Sequence, residues 1–326
     1  MSYPPISETA LNTLIKGNAY EPYYSYKSPI DLYDIHQFTN GQPFNAYDEL
    51  RENSPIYFQN PPEWDVEPGA WMLTSYKDIM EVSSNPAIYS SQAATGNLMT
   101  LGNPETRHPK LWQTSIDHML NLDGSFHLDL RREHMPFFKP GYVDELHKKV
   151  EIKVEVLLDA IAKVGKSNLV KDLSQQIPIF TLSEVLGIPE EDRHKLSTWM
   201  EFLELAQYFA AEGMKKTQGK TEEMEVDTSM IELFENMIGE MFEYGKHILQ
   251  EKRLNPKNDL LSAIANAELG GAKLSQEYLD GSWLLIIFAG NDTTRNSISG
   301  AIKLLTEFPE QKKKLLNNLD LLPNFA

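Results

Sequence analysis

From Phe126 to the last residues of the chain, apolar side chains recur at helical spacing almost without pause, and this pattern narrows the possible folds more than any other feature. Segments at roughly 126–138, 140–163, 172–186, 190–211, 228–252, 257–268, 275–306 and 309–318 read as helices, punctuated by Gly, Pro or Asn. Upstream, "FNAYDELRENSP" places Phe44, Tyr47 and Leu50 on one helix face ahead of Pro55. The β-branched and aromatic runs "IYFQ" and "AWMLTSY" flank the turn-forming "NPPEWDVEPG", which predicts a hairpin. "YKDIMEVSSNP" predicts a helix ending at Asn85, before Pro86. The expected class is therefore mainly α with a small β-sheet (α+β). Residues 91–122 hold no lasting period, so a long loop with one short helix is expected there, and long loops in compact domains are often functional. No internal repeat or low-complexity linker divides the chain, which reads as a single domain over residues 1–326, with no second domain.

At 326 residues and 41% hydrophobic, the chain can bury a substantial core. Its 30 Lys and Arg stand against 47 Asp and Glu, and a net charge of -17 is the opposite of a nucleic-acid-binding footprint. The N-terminus lacks a basic start followed by an apolar stretch, so no signal peptide is expected. The longest unbroken apolar run, Trp283 to Ala289, falls far short of the about 20 residues needed to cross a bilayer. A cytoplasmic protein with no membrane span is the expectation. From Thr221 to Glu243 there are eight acidic residues and no basic one, which suits a solvated helix face and loop or, alternatively, a lid or acidic docking surface. The chain has no cysteine, which excludes disulfides, thiolate metal sites and cysteine nucleophiles within it.

Two constellations carry chemistry. In "FHLDLRREHMPFFKP", His127 and Arg131 are four apart, project from one helix face and can grip one anion, for which a carboxylate is the natural size. The plainer reading is an exposed helix solvated by Asp129, Arg131, Arg132 and Glu133. A zinc site from His118, His127 and His134 is excluded, since His127 and His134 are two turns apart and no carboxylate cluster joins them.

The second is "SWLLIIFAGNDTTRNSISG", an apolar helix interrupted by polar residues. Ala289 and Gly290 remove bulk from one turn, so a flat ligand or small molecule can approach the backbone, at a helix cost of about 1 kcal/mol for the glycine. Thr293, one turn beyond Ala289, can bond back to the carbonyl four residues earlier and open the helix to water. Asp292 beside it must find a partner, reach water or move protons. Small residue, acid and hydroxyl together suit proton delivery. A helix N-cap would also use Asp and Thr, but apolar residues continue through Ile298, Ile302 and Leu305. The glycosylation pattern at Asn291 conflicts with the flanking apolar run.

Together these segments resemble the cytochrome P-450 superfamily, in particular its bacterial soluble haem-thiolate monooxygenases. "AGNDTTRN" is similar to the family's central-helix signature of a small residue, Gly, any residue, an acid, Thr and Thr or Ser. "LDGSFHLDLRREHMPFFKP" resembles its helix with His, three residues, Arg and a later Phe, here His127, Arg131 and Phe138. The likeness extends through "AYDELRENSPIYF", "GAWMLTSYKDIMEVSSNPAIYSS", "TLSEVLGIPEEDRHKLSTW", "NPKNDLLSAIANAELGGAKLSQEYL" and "LLTEFPEQKKKLL", in order.

The resemblance implies a haem-dependent monooxygenase that inserts one atom of dioxygen into a hydrophobic small molecule, a terpenoid, sterol or similar. Its cofactor would be haem b, with iron. By the same resemblance His127 and Arg131 would hold the haem propionates, and Ala289 and Gly290 would line the oxygen side of the ring. Thr293 would stabilise the bound oxygen through water and Asp292 would relay protons. Electrons would come from a ferredoxin or flavodoxin-type partner, with Arg132 and Lys139 as candidates for its docking face. Leu98, Met99 and Leu101 are candidates for the substrate pocket, or simply pack the loop down.

The family binds iron through a cysteine thiolate, and this chain has none. The expectation is a C-terminally truncated P-450 fold that lacks the proximal haem-binding part and is itself inactive. The alternative is a non-catalytic helical module that binds a hydrophobic ligand.

Overall fold

The computed structural model describes residues 30–32, 34–59, 70–91, 110, 111, 114, 118–203 and 228–325. Along these residues run α1 (Phe44–Asn53), β1 (Ile56–Gln59), β2 (Ala70–Leu73), α2 (Tyr76–Ser84), α3 (Gly124–His134), α4 (Pro140–Val164) and α5 (Gln176–Leu186). A helix over 193–203, α6, is followed by α7 (Thr228–Leu254), α8 (Leu260–Asn266), β3 (Glu268–Leu269), β4 (Ala272–Lys273), α9 (Gln276–Glu307) and α10 (Pro309–Asn317). The fold is mainly helical with two small antiparallel sheets, the class expected from the sequence. Among the described residues no helix is long and apolar enough to cross a membrane.

The sequence signals act where elementary stereochemistry says they should. Pro140 and Pro309 open α4 and α10 at positions where a missing N–H costs nothing. The predicted hairpin forms with Ile56 opposite Leu73 and Phe58 opposite Trp71. Both Tyr57 and Phe58 are buried in place of strict alternation, Phe58 packing edge-on to Trp71 at 5.4 Å. Burial pushes the Tyr57 phenol up to about 12.

Several boundaries differ from expectation. The segment expected as one helix over 126–138 is α3 followed by a tighter 3-10 turn, Met135–Phe138. A wider π turn at Val170–Ser174 precedes α5. The predicted helix at 257–268 is only Leu260–Asn266, because the chain then turns through Gly270 and Gly271, both with positive φ, to pair β3 with β4. That glycine pair is a two-residue hairpin signal, overlooked because each strand has only two residues. Leu98, Met99 and Leu101, most of the 91–122 segment and the first part of the acidic segment lie outside the described residues.

Contacts gather the chain into two compact units. One comprises residues 1–133, 205–233 and 266–282. Its buried apolar residues include Leu50, Tyr57, Leu122, Leu130 and Leu279. Within it, the Asp123 carboxylate accepts from the backbone N–H of Ser91 at 3.1 Å and so fixes the approach to α3. Lys110 pairs with Asp280, which also accepts from the Gln276 amide at 2.7 Å.

The other unit comprises residues 134–204, 234–265 and 283–326. Leu186, Leu196, Trp199, Met241, Leu249, Leu261, Trp283 and Ile287 are buried in it. Lys252 and Asp259 form a buried ion pair; the ammonium also donates to the Gly187 carbonyl at 3.0 Å, and the carboxylate caps α8 by accepting from Ser262 N–H at 2.8 Å. Each charge thus has a hydrogen-bond partner besides the other, which makes burying the two tolerable. Where α7 meets α9, the Trp283 indole lies on Gly245 and donates to the Met241 carbonyl at 3.0 Å. Any Cβ at residue 245 would fall within 2.5 Å of the ring.

Candidate functional site

On α3 the buried Leu130 holds one face inward, while His127 is half-buried and Arg131 exposed. The four-residue spacing puts the imidazole and guanidinium on one face. Among the described residues neither makes an ion pair or side-chain hydrogen bond, whereas the neighbouring Arg132 is tied to Asp129 at 2.6 Å. Two adjacent uncommitted donors remain, which suits a bound carboxylate. Arg132 and Lys139, the proposed partner-docking charges, are both exposed.

His134, one turn further, behaves differently. It is buried, its Nε2 has no hydrogen-bond partner among the described residues, and burial lowers its pKa to about 4. It is therefore neutral at physiological pH. No cluster of His, Asp or Glu suited to a metal ion occurs among the described residues.

The central helix α9 is sharply two-faced around its polar turn. Trp283, Ile287 and Asn291, spaced by four, are buried. Ala289, Thr293, Asn296 and Ser297 are exposed on another face. The Thr293 hydroxyl donates to the Ala289 carbonyl at 2.9 Å, the back-bond its position allows. Ser297 repeats this to Thr293 O at 2.8 Å. Nonetheless α9 runs as uninterrupted α-helix from Gln276 to Glu307, so the back-bonds do not open it.

Asp292 resolves the cost of its position by pairing. Its Oδ1 accepts from Arg295 at 2.8 Å and from the Asn296 amide at 3.0 Å, with the carboxylate side chain still 36% exposed. Arg295 and Asn296 were overlooked as partners, although the i+3 and i+4 spacings of "DTTRN" contain them.

Gly290 has a more local reason than ligand access. A Cβ there would come within 2.9 Å of Leu182 Cδ1, so the glycine lets α5 pack closely on α9. Ala289 and Thr293, not the Gly290 side-chain direction, make the open small-residue surface. A further unforeseen feature is Asn291, 1% exposed, both of whose amide atoms lack partners among the described residues.

Comparison with known proteins gives a consistent picture. Residues 87–322 match the family model described as Cytochrome P450. The chain is 27% identical over 293 residues to a linalool 8-monooxygenase of Pseudomonas putida, covering 90% of this chain and 68% of that protein. It is 25% identical over 288 residues to a steroid C26-monooxygenase of Mycolicibacterium smegmatis, covering 87% and 62%. Among solved structures, it superimposes on Mycobacterium marinum cytochrome P450 CYP268A2 in complex with pseudoionone with a TM-score of 0.68 at 26% identity, covering 90% of this chain and 69% of that one. The likeness to P450BioI in complex with an acyl-carrier protein, at the same TM-score but 23% identity, is one of fold. The chain thus spans roughly 60 to 70% of the length of such relatives.

Proposed function

The chain belongs to the cytochrome P450 family, and from that premise we propose that it provides the oxygen-side and propionate-side residues of a haem-dependent monooxygenase acting on a hydrophobic small molecule. Family members bind haem b, and two features of this chain fit such a group. His127 and Arg131 are adjacent uncommitted donors for propionates. Ala289 and Thr293 present a surface of small side chains that a flat ring can approach, with the Gly290 backbone in the same turn. A thiolate ligand is not among these 326 residues, which contain no cysteine, so no iron ligand is assigned.

When bound, haem supplies an iron centre at which dioxygen is activated. The chain's own residues then position protons. Thr293, its hydroxyl hydrogen committed to Ala289 O, offers Oγ1 lone pairs that accept a hydrogen bond from water. Asp292, held by Arg295 and Asn296 yet partly solvated, exchanges a proton with water and is the relay. The electron donor is a ferredoxin or flavodoxin-type protein, for which the exposed Arg132 and Lys139 are each a candidate docking charge. The names of the relatives, linalool and steroid monooxygenases, support a terpenoid or sterol as substrate class, with Leu98, Met99 and Leu101 as pocket candidates.

The observation that carries this reading is the turn of α9 in which an exposed Ala289, a back-bonded Thr293 and a paired, half-exposed Asp292 occur together. The test is oxygen insertion by the longest natural product of the gene, supplied with haem, ferredoxin, reductase and a panel of terpenoids and sterols under heavy-isotope dioxygen. One labelled oxygen atom in the product is expected. Products without label would overturn the assignment.

A further inference from the structure

Trp199, Tyr244 and Trp283 form a closed triangle of rings. Centroids lie 5.3 Å apart for Trp199 and Tyr244, 5.9 Å for Tyr244 and Trp283, and 6.2 Å for the two indoles. Indole and phenol are among the protein groups most readily oxidised by one electron, and rings in contact exchange electrons readily. The three differ in what their protons can do. Trp283 Nε1 donates to the Met241 carbonyl at 3.0 Å, which is too weak a base to take a proton. Buried Trp199 Nε1 has no acceptor among the described residues. Only Tyr244 has a base: its hydroxyl donates to the Asp192 carboxylate at 2.9 Å.

We propose that this triangle is an electron-transfer relay that carries an oxidising equivalent from α9 to Tyr244, where loss of the phenol proton to Asp192 traps it. A one-electron oxidant takes an electron from Trp283 and leaves an indole radical cation. Tyr244 returns an electron to that indole directly or through Trp199; its O–H bond breaks and the proton forms a carboxylic acid on Asp192. The result is neutral Trp283, a neutral tyrosyl radical and protonated Asp192. An external thiol closes the cycle by supplying one electron as its proton leaves to solvent, while Asp192 returns its proton to the phenolate oxygen; the thiyl radical so formed couples with a second one to give a disulfide. On the functional reading above, the oxidant is an oxygen-activating haem whose oxidising equivalent has not been delivered to substrate.

The surroundings of Tyr244 set the starting protonation states. Burial foremost, then the hydrogen bond to Asp192, pushes the phenol above its ordinary range, so it holds its proton at neutral pH. A hydrogen bond from Lys195 foremost holds Asp192 below the usual carboxylate range, so it is ionised and ready to accept. The Lys195 ammonium, 2.8 Å from Asp192, also sits 4.8 Å over the Tyr244 ring. A positive charge there opposes a ring cation, so oxidation of Tyr244 must be accompanied by proton loss. Core packing alone would be served by Phe at position 244 and requires neither the carboxylate nor the ammonium.

The absence of cysteine permits a clean test. Ala289→Cys introduces one thiol for a ruthenium photosensitiser on the exposed face of α9, six residues beyond Trp283 and about 9 Å along the helix. Flash oxidation of the labelled chain, followed by electron paramagnetic resonance after rapid freezing, should show a tyrosyl radical. With Tyr244→Phe that signal should be lost and a short-lived indole radical should replace it. Asp192→Asn should reduce the tyrosyl yield, Lys195→Met should increase it, and Trp283→Phe should abolish rapid formation. Asp192 and Lys195 are partly exposed, so these two variants retain a readout if a core variant fails to fold. An unchanged tyrosyl signal in Tyr244→Phe, or equal yields in Asp192→Asn, Lys195→Met and the parent chain, would overturn the relay. Since no haem takes part, failure here leaves the oxygen-insertion reading intact, and failure of oxygen insertion leaves the relay intact.

Discussion

The Thr293 hydroxyl is bonded to the carbonyl of Ala289, 2.9 Å away and one turn earlier on α9. The bond fixes the hydroxyl hydrogen on the helix and turns the oxygen lone pairs outward. Thr293→Ala should therefore leave thermal stability within about 0.5 kcal/mol, as for other exposed positions. In the haem-loaded protein it should lower the fraction of consumed electrons recovered as hydroxylated product, while Thr293→Ser retains most of it. Parallel measurement of reductant consumption and product decides the point.

Two glycines at helix contacts should respond unequally to alanine. At Gly290 the new methyl meets Leu182 Cδ1 at 2.9 Å, the far end of a flexible side chain, and better helix propensity offsets part of the clash. The expected loss is about 1 kcal/mol. At Gly245 the methyl meets rigid indole atoms of Trp283 at 2.5 Å, and a loss of about 3 kcal/mol is expected. Denaturant melts of the two variants should rank them in that order.

Lys252→Met should be among the most damaging single substitutions, costing about 3–5 kcal/mol, because it strands Asp259 as an uncompensated buried charge. Adding Asp259→Asn should restore part of the loss, since the amide oxygen can still accept from Ser262 N–H. A double-mutant cycle measures the coupling.

His134 makes stability depend on acid. Its folded pKa is lowered to about 4 from an ordinary 6.5, so the unfolded chain binds the proton more readily. Its contribution is fully present above about pH 6.5 and falls as pH drops toward 4, with a slope of at most about 1.4 kcal/mol per pH unit. His134→Gln should flatten the difference in stability between pH 7 and pH 4.5, read from denaturant midpoints at the two pH values.

The pair on α3 should recognise propionates and not the ring. Arg131→Ala and His127→Ala should weaken binding of haem in the haem-loaded protein, whereas binding of the haem dimethyl ester, which has no free carboxylates, should hardly change. Equal losses for both ligands would assign the pair a purely structural role.

What could be read from the sequence was what lies within one helix. The His127 and Arg131 spacing and the polar turn from Ala289 to Thr293 follow from the 3.6-residue period alone, and the structure places each group on a helix as expected. Asp292 was recognised as needing a partner, and its partners were in reach of the same rule. Contacts made across the chain were invisible. Nothing near Gly290 announces Leu182, and nothing near Lys252 announces the Gly187 carbonyl. The π turn at Val170–Ser174 and the strands β3 and β4 are too short to impose a period, so pattern reading passes over them.

The fit of Trp283 on Gly245 works mechanically as a detent. Sliding α9 along α7 by one residue, about 1.5 Å, would carry the ring off the Cβ-free backbone at Gly245 and strain its bond to the Met241 carbonyl. The turn holding Ala289 and Thr293 begins six residues further along the same continuous helix. Its axial setting is therefore indexed by one indole, and adjustment of that turn is left to side-chain rotation instead of helix translation.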